Sequence, residues 1–322
     1  MAVLFVVGES DAGNLPRGEH VSELSRTLST LTTEAVNPEW TGIDTWPTRQ
    51  LVEGMIAADA GLYEAIAACT DQLTAAVDGI VDRLERGGRL IYIGAGTAGR
   101  MGVLDASEIP PTYGTDPSLV VGVIAGGDAA IQRAVENAED DVDGGARAMA
   151  ELEVGEGDAV VGIASSGRTP YVLGALAEAG RRGALRIGLT NNAGSAVGAG
   201  ADIAIEVVVG PEFIAGSTRL RSGTSQKLVL NLLSTCAMVR LGKTYGNLMV
   251  DLRATNEKLR VRSVRTVVAA TGASEADASA AVDAASGSVK TAILMVLAGI
   301  DADEAHTRLD AARGHLRDAL TS

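Results

Sequence analysis

Two acids and two hydroxyl-glycine loops supply the residue types in this chain that can do chemistry. Residues 89–114 read RLIYIGAGTAGRMGVLDASEIPPTYG. The apolar run Leu90–Ile93 predicts a buried strand, and it leads into Gly94, Gly96 and Gly99. A glycine loop between a strand and a helix offers free backbone N–H groups and a positive helix end to an anion. Downstream, Glu108 stands just ahead of Pro110 and Pro111, which predict a helix break and an exposed turn around the carboxylate. Glu139 follows in AVENAEDD, near the end of a second expected helix. A positioned pair of carboxyl groups can take a proton from carbon and give one to a leaving oxygen. Taken singly, each acid reads as a solvated surface group, and Glu136 and Asp140 are equally eligible.

A second loop, Ser165-Ser166-Gly167-Arg168-Thr169-Pro170, follows another apolar run. Its hydroxyls and N–H groups would ring a phosphate at a helix start, where Pro170 fits the first turn. The plainer reading is an ordinary helix cap by Ser or Thr. The glycine loop has three readings. Gly94-Ala95-Gly96-Thr97-Ala98-Gly99 matches the dinucleotide fingerprint GxGxxG literally. A nicotinamide dinucleotide would also want an acid at the end of the next strand, and the nearest is Asp128, beyond Gly126-Gly127. A phosphate cradle on Gly96 and Thr97 is favoured, and tight helix–strand packing remains open. Further on, GPEFIAGSTRLRSGTSQK brings Ser217, Thr218, Arg219 and Lys227, which would either close a site or cap a helix.

The composition narrows the ligand. The 322 residues carry 27 basic and 41 acidic side chains, a net charge of 27 − 41 = −14. Such a chain repels nucleic acid and anionic membranes, and any phosphorylated substrate must be held by local donors. Aromatic residues are only 3%, too few for base stacking. Cys69 and Cys236, with His20, His306 and His315, form no metal-ligand spacing or disulfide framework, so no metal site of His and Cys is expected; carboxylates alone could still bind one, and the expectation is of no metal. The free thiols suit a cytoplasmic setting. No run reaches the ~18 apolar residues of a membrane helix. The apolar start, MAVLFVV, lacks the basic flank and cleavage pattern of a signal peptide and reads as an extension.

The elements that must position these residues alternate. Helical spacing runs from Pro47 to Arg86 and ends at a Gly87-Gly88 cap. Strands are predicted at Leu90–Ile93, Leu119–Ala125, Ala159–Ala164, Leu185–Leu189 and Ile203–Val209, apolar on both faces as in a covered parallel sheet. The intervening helices are placed on AGRMGVLDA, AAIQRAVENAEDD, TPYVLGALAEAGRR and a short Gly/Ala segment. Residues 223–243 predict one long amphipathic helix, and 267–320 a small helical bundle with caps at Ser274 and Asp301. The fold class is α/β, a doubly wound parallel five-stranded sheet with amino-terminal helices and a carboxy-terminal bundle. The expected divisions are an extension at 1–32, a helical segment at 33–80, the α/β domain at 81–245 and the helical domain at 246–322.

Five stretches closely resemble one family. They are GAGTAGRMGVLDASEIPPTYG, IAGGDAAIQRAVENAEDD, GIASSGRTPYV, GSTRLRSGTSQKLVLNLLST and GKTYGNLMVDLRATNEKL. They are similar to the N-acetylmuramic acid 6-phosphate etherases of the sugar isomerase (SIS) domain superfamily. TEAVNPEWTGID resembles that family's amino-terminal signature, so the likeness runs from about residue 33 to the end. The resemblance implies a SIS domain and a cytoplasmic, metal-free homodimer that takes a sugar phosphate. It implies cleavage of a D-lactyl ether by elimination and hydration, in recycling of cell-wall sugars. By motif, Glu108 falls on the acid that protonates departing lactate, and Glu139 on the second catalytic acid, the base. The acid would need a raised pKa. One departure is Ala98, where the family pattern often has Ser; another is Ser165, where Ala is common. Two further readings within the superfamily are a binding-only regulator, similar to glucokinase regulatory protein, and an aldose–ketose isomerase. Retention of both acids argues against the regulator.

Overall fold

The computed structural model describes residues 31–251 and 257–322. The extension up to residue 30, with its GNLPRG cluster, and part of the DLRATNEKL stretch lie outside them. The segment expected to be loop-like begins with 3-10 turns at Thr32–Glu34, Pro38–Trp40 and Ile43–Thr45. The helical region then divides into α1 (Thr48–Ala58), α2 (Leu62–Ala67) and α3 (Thr70–Glu85). Gly87, with φ +84°, ends α3 in the left-handed conformation that glycine tolerates best.

The five apolar runs form one parallel sheet: β1 (Leu90–Gly94), β2 (Val120–Ile124), β3 (Ala159–Ala164), β4 (Leu185–Thr190) and β5 (Ile203–Glu206). Their order is β2-β1-β3-β4-β5. Only β5 departs appreciably from its predicted span, ending three residues early. One face of the sheet is covered by α3, α4 (Gly96–Tyr113) and α9 (Arg221–Arg240), with Ile80, Tyr92, Ile109, Leu189 and Leu230 in a shared core. The other face is covered by α6 (Val142–Glu151) and α7 (Pro170–Arg181), around Ile93, Met149, Val160 and Leu176.

Two expectations fail in instructive ways. The helix placed on AAIQRAVENAEDD is only the single turn α5 (Ala129–Gln132), and the chief helix between β2 and β3 is α6. Gly144 and Gly145 hide α6 from propensity reasoning. Packing requires Gly145, because a Cβ there would stand 1.8 Å from the Tyr171 carbonyl oxygen; on α7, a Cβ at Gly174 would stand 2.0 Å from that of Val142. Asp141 caps α6 by accepting from the Gly144 N–H at 2.8 Å. The second failure concerns Pro110 and Pro111, which do not break α4; the helix continues to Tyr113. The prolines forgo two backbone bonds, but Ile109 and Tyr113 are buried and hold the last turn. Gly114, at φ +62°, then closes the helix by donating to the Pro110 carbonyl.

A clamp ties the start of β1 to the turn before β3. Asp158 accepts from the Arg89 backbone N–H and Nε through Oδ1, and from Arg89 Nη2 and the Gly155 N–H through Oδ2. Burial pushes the Asp158 carboxyl up, but the Arg89 guanidinium and the two N–H groups outweigh it, and the net shift is below the usual carboxylate range. A depressed folded-state value stabilises the fold above the unfolded pKa, and that contribution fades as pH falls through the folded value. Asp158→Asn should therefore lower Tm at pH 7, and the gap from the native protein should narrow below about pH 4. A gap that stays constant across a pH series of thermal melts would remove the clamp from the stability account.

After α8 (Ala196–Ala199), α9 and a short hairpin, β6 (Thr244–Tyr245) with β7 (Leu248–Met249), the chain forms α10 (Glu257–Thr271), α11 (Glu275–Ala284), α12 (Val289–Ala298), α13 (Ala302–Ala311) and α14 (Leu316–Thr321). These five helices bury their own core around Val267, Val282, Ile293 and Leu309. Ser274 and Asp301 cap α11 and α13 as predicted. No single described helix is long and apolar enough to cross a membrane.

Candidate active site

The strand order reverses between β1 and β3, because the chain leaves β1 for β2 and then crosses back to β3. Ligands of open α/β sheets bind outside the carboxyl ends of the strands at such a point. Both candidate loops open there. Gly94 and Gly99 serve packing: a Cβ at Gly94 would lie 2.7 Å from the Gly99 nitrogen, and one at Gly99 would lie 2.7 Å from the Gly94 oxygen. Gly96 differs. It is exposed, sits at φ +54° and has open space where a Cβ would go. Packing therefore accounts for Gly94 and Gly99, and Gly96 is left open at the surface. The N–H groups of the first turn of α4 have no intrahelical acceptor. Ala98 is 5% exposed and packs into the core, so the departure at this position turns inward.

The first turns of α9 draw the loops together. A Cβ at Gly223 would touch the Thr97 methyl at 3.0 Å and the Thr218 carbonyl oxygen at 3.3 Å. Three residues on, Gln226 Nε2 donates to Ser165 Oγ at 2.8 Å. Residues i and i+3 of a helix are neighbours, so Thr97, Thr218 and Ser165 converge on one helical turn. Ser166 Oγ accepts from the Arg168 N–H at 3.3 Å. Thr169 is the residue before α7, yet its side chain makes no capping bond, which leaves its hydroxyl available. Pro170 occupies the first turn of α7 as expected. Ser217 and Thr218 do not cap α9 either. Glu212, 1% exposed, does so instead, accepting from the N–H groups of Arg221 and Ser222 and from Ser222 Oγ. Lys227 is exposed on α9 and forms no ion pair among the described residues.

The two acids are separated. Glu139 lies in a 3-10 turn, Ala138–Asp140, just before α6, rather than at the end of a helix on AAIQRAVENAEDD as expected. It lines a cavity of about 210 Å³ with Gly96, Arg100, Arg133, Glu136 and Asn137. Arg100 holds this loop by donating from Nε to the Ile131 carbonyl at 2.9 Å. Glu108 does not line that cavity. It is exposed on α4, 12 positions beyond Gly96, which is about 18 Å of helix toward the opposite end of the sheet.

The chain is 54% identical over 303 residues to N-acetylmuramic acid 6-phosphate etherase of Streptomyces avermitilis, covering 94% of this chain and 97% of that one. It is 53% identical to the protein of the same name from Rubrobacter xylanophilus, over 91% and 97% of the two chains. The chain belongs to the N-acetylmuramic acid 6-phosphate etherase family. Residues 134–235 match the SIS domain family, and residues 72–179 match the glucokinase regulatory protein N-terminal SIS domain. Among solved structures, phosphoheptose isomerase from Neisseria gonorrhoeae is similar in fold, with 20% identity, a TM-score of 0.48, and coverage of 60% of this chain and all of that one.

Several residues around this family member's site escape sequence reasoning. Asp105, in the DASE block, is buried and accepts from Tyr92 Oη at 2.9 Å and Asn231 Nδ2 at 2.7 Å, pinning α4 to β1 and α9. Burial, then the Asp105 charge and hydrogen bond, drives the Tyr92 hydroxyl well above its usual range, so it remains a neutral donor. Thr32 donates through N and Oγ1 to Asn192 Oδ1, and Asn192 Nδ2 donates to Thr33 Oγ1 and the Ser165 carbonyl. The family's amino-terminal signature is thus laced to the back of the SSGRT loop. Arg168 Nη1 is buried without an acceptor among the described residues. Polar residues within the apolar run of the expected long helix are a signal for such contacts, and they mark Gln226 and Asn231.

Proposed function

We propose that this protein is a carbon–oxygen lyase that cleaves the D-lactyl ether of N-acetylmuramic acid 6-phosphate, giving D-lactate and N-acetylglucosamine 6-phosphate. The convergence of the Gly96–Thr97 and Ser165–Thr169 loops at the strand reversal, beside the cavity that holds Glu139, carries this reading. In a chain of net charge −14, such local donors supply the attraction for the phosphate. The Ser217–Thr218 turn and Lys227 complete the phosphate side.

The open-chain aldehyde makes the C2 proton acidic. Glu139 takes that proton, the C2=C3 bond forms as the C3–O bond breaks, and Glu108 gives its proton to the departing lactyl oxygen. Water then adds at C3, C2 regains a proton, and the product sugar phosphate is complete. Each positioned transfer is worth about 10²–10⁴-fold. The C3 ether lies within one sugar ring of the phosphate, and Glu108 stands about 18 Å along α4 from its own cradle. Glu108 therefore serves the cradle of a second subunit in a cytoplasmic homodimer. Two observations support the dimer. Leu104, one turn before Glu108, is 46% exposed, and an apolar groove of about 600 Å³ on the same face of the sheet is lined by Tyr63, Ile66, Leu73, Leu232, Cys236 and Val239.

A binding-only regulator is the second reading, favoured by the match of residues 72–179 to the glucokinase regulatory protein domain. The deciding experiment supplies purified protein with N-acetylmuramic acid 6-phosphate and measures D-lactate by a coupled dehydrogenase assay. Release of lactate is expected. Sugar-phosphate binding without release would favour the regulator, and aldose–ketose interconversion the isomerase.

A further inference from the structure

A chain of buried amides behind the SSGRT loop fixes the direction of one hydroxyl. Asn191 and Gln226 are both fully buried. Asn191 Nδ2 lies 2.9 Å from the Val207 carbonyl oxygen and 2.9 Å from Ser225 Oγ, which itself donates to the Ser222 carbonyl. A backbone carbonyl only accepts, so the Asn191 amide nitrogen must face Val207 and its Oδ1 must face away. That Oδ1 accepts from Gln226 Nε2 at 3.0 Å. The Gln226 amide cannot turn over, because two carbonyl oxygens would then meet. Its Nε2 is thereby held against Ser165 Oγ at 2.8 Å. Ser165 Oγ receives a hydrogen bond, and its own proton has no acceptor among the described residues. Gln226 Oε1 also has no donor among them. Burying an unpaired carbonyl is unfavourable, so the orientation is kept at some expense by the Asn191 contact.

We propose that Gln226 is a positioning residue that occupies one acceptor site of Ser165 Oγ and so turns its O–H toward the substrate phosphate. The inference rests on the placement of the phosphate under the function proposed above. The mechanism is polarity. Ser165 Oγ already accepts from Gln226 Nε2, so its O–H cannot point that way and is turned to the open side, where it can donate to an anion. The cradle then favours a fully acceptor group, a phosphate dianion, over a sugar hydroxyl in the same place. A donor to an ionised oxygen is also the stronger kind of hydrogen bond.

Binding of N-acetylglucosamine 6-phosphate, measured by calorimetry, reads this directly and does not depend on turnover. Gln226→Met keeps the length and removes the amide. Gln226→Glu keeps the shape and replaces the donor with an acceptor, which would draw the Ser165 proton back from the ligand. Both should weaken binding, by about tenfold for Met and about a hundredfold for Glu. In lactate release the loss should appear in KM more than in kcat. The decisive measurement is coupling: Gln226→Met added to Ser165→Ala should weaken binding no more than twofold beyond Ser165→Ala alone. Additive losses, or unchanged affinity in both Gln226 variants with Tm preserved, would overturn the proposal. If Gln226→Met does not fold, Gln226→Glu and the single Ser165→Ala still decide it, since equal affinity to native in either is incompatible with a donor role. Native protein that releases lactate yet binds as before after Ser165→Ala would refute this inference and leave the proposed function standing. Native protein that binds no sugar phosphate would defeat both.

Discussion

Glu108→Ala and Glu139→Ala, each nearly inactive as a pure protein, are expected to recover activity when mixed as dimers. If Glu108 crosses to the partner's cradle, a mixed dimer has one site with both acids intact and one with neither. Random reassortment should then give about a quarter of the native lactate release. If both acids acted within one chain, every site would lack one acid and mixing would restore nothing. The separation along α4 is what makes the first outcome the expected one. Pure variants should each lose about 10²–10⁴-fold. The two losses differ in kind. Glu108→Ala should stop lactate release while Glu139 still exchanges the C2 hydrogen of N-acetylglucosamine 6-phosphate with solvent deuterium. Glu139→Ala should lose that exchange as well. Normal lactate release by Glu108→Ala, or native-rate exchange by Glu139→Ala, would reverse the assignment. A single pH profile would not replace this test, because paired carboxyls titrate together.

The second large effect is expected at the phosphate. Ser166→Ala combined with Thr169→Ala removes two hydroxyls from the loop after β3, and neither hydroxyl donates to the protein among the described residues. KM should rise by about 10²-fold or more, the loss expected for two hydrogen bonds to a charged group. The fold should survive, since α7 keeps Pro170 in its first turn and Thr169 makes no cap. An unchanged KM with an intact thermal melt would move the phosphate to another loop. The same double variant should leave deuterium exchange at saturating product close to native, because Glu139 lines a cavity that neither Ser166 nor Thr169 lines.

Much of the scaffold was legible because local rules and tertiary demands agree. Apolar β-branched runs such as Ala159–Ala164 satisfy both, so the strand spans were readable almost to the residue. Ser274 and Asp301 cap by side-chain bonds made within one turn, which sequence spacing specifies. Where the reading failed, tertiary contacts outweighed local preference. Gly145 in α6 and Pro111 in α4 oppose helix formation locally, and each is tolerated because packing holds the helix around it.

The sequence by itself determined the α/β alternation, the places of the two glycine-hydroxyl loops at strand ends, and the family. Residue type and near-neighbour spacing give the first two; the family resemblance, not spacing, singles out Glu108 and Glu139 from equally eligible acids such as Glu136 and Asp140. Only the tertiary structure decided that Thr97 and Ser165 pack against the same turn of α9, that Glu212 occupies the helix end left open to Ser217 and Thr218, and that Glu139 lines a cavity with Gly96 while Glu108 stands a helix length away. Such relations depend on strand order and on which face each helix covers. Both are set by burying two separate apolar cores at once, a condition on the whole chain that no short segment records.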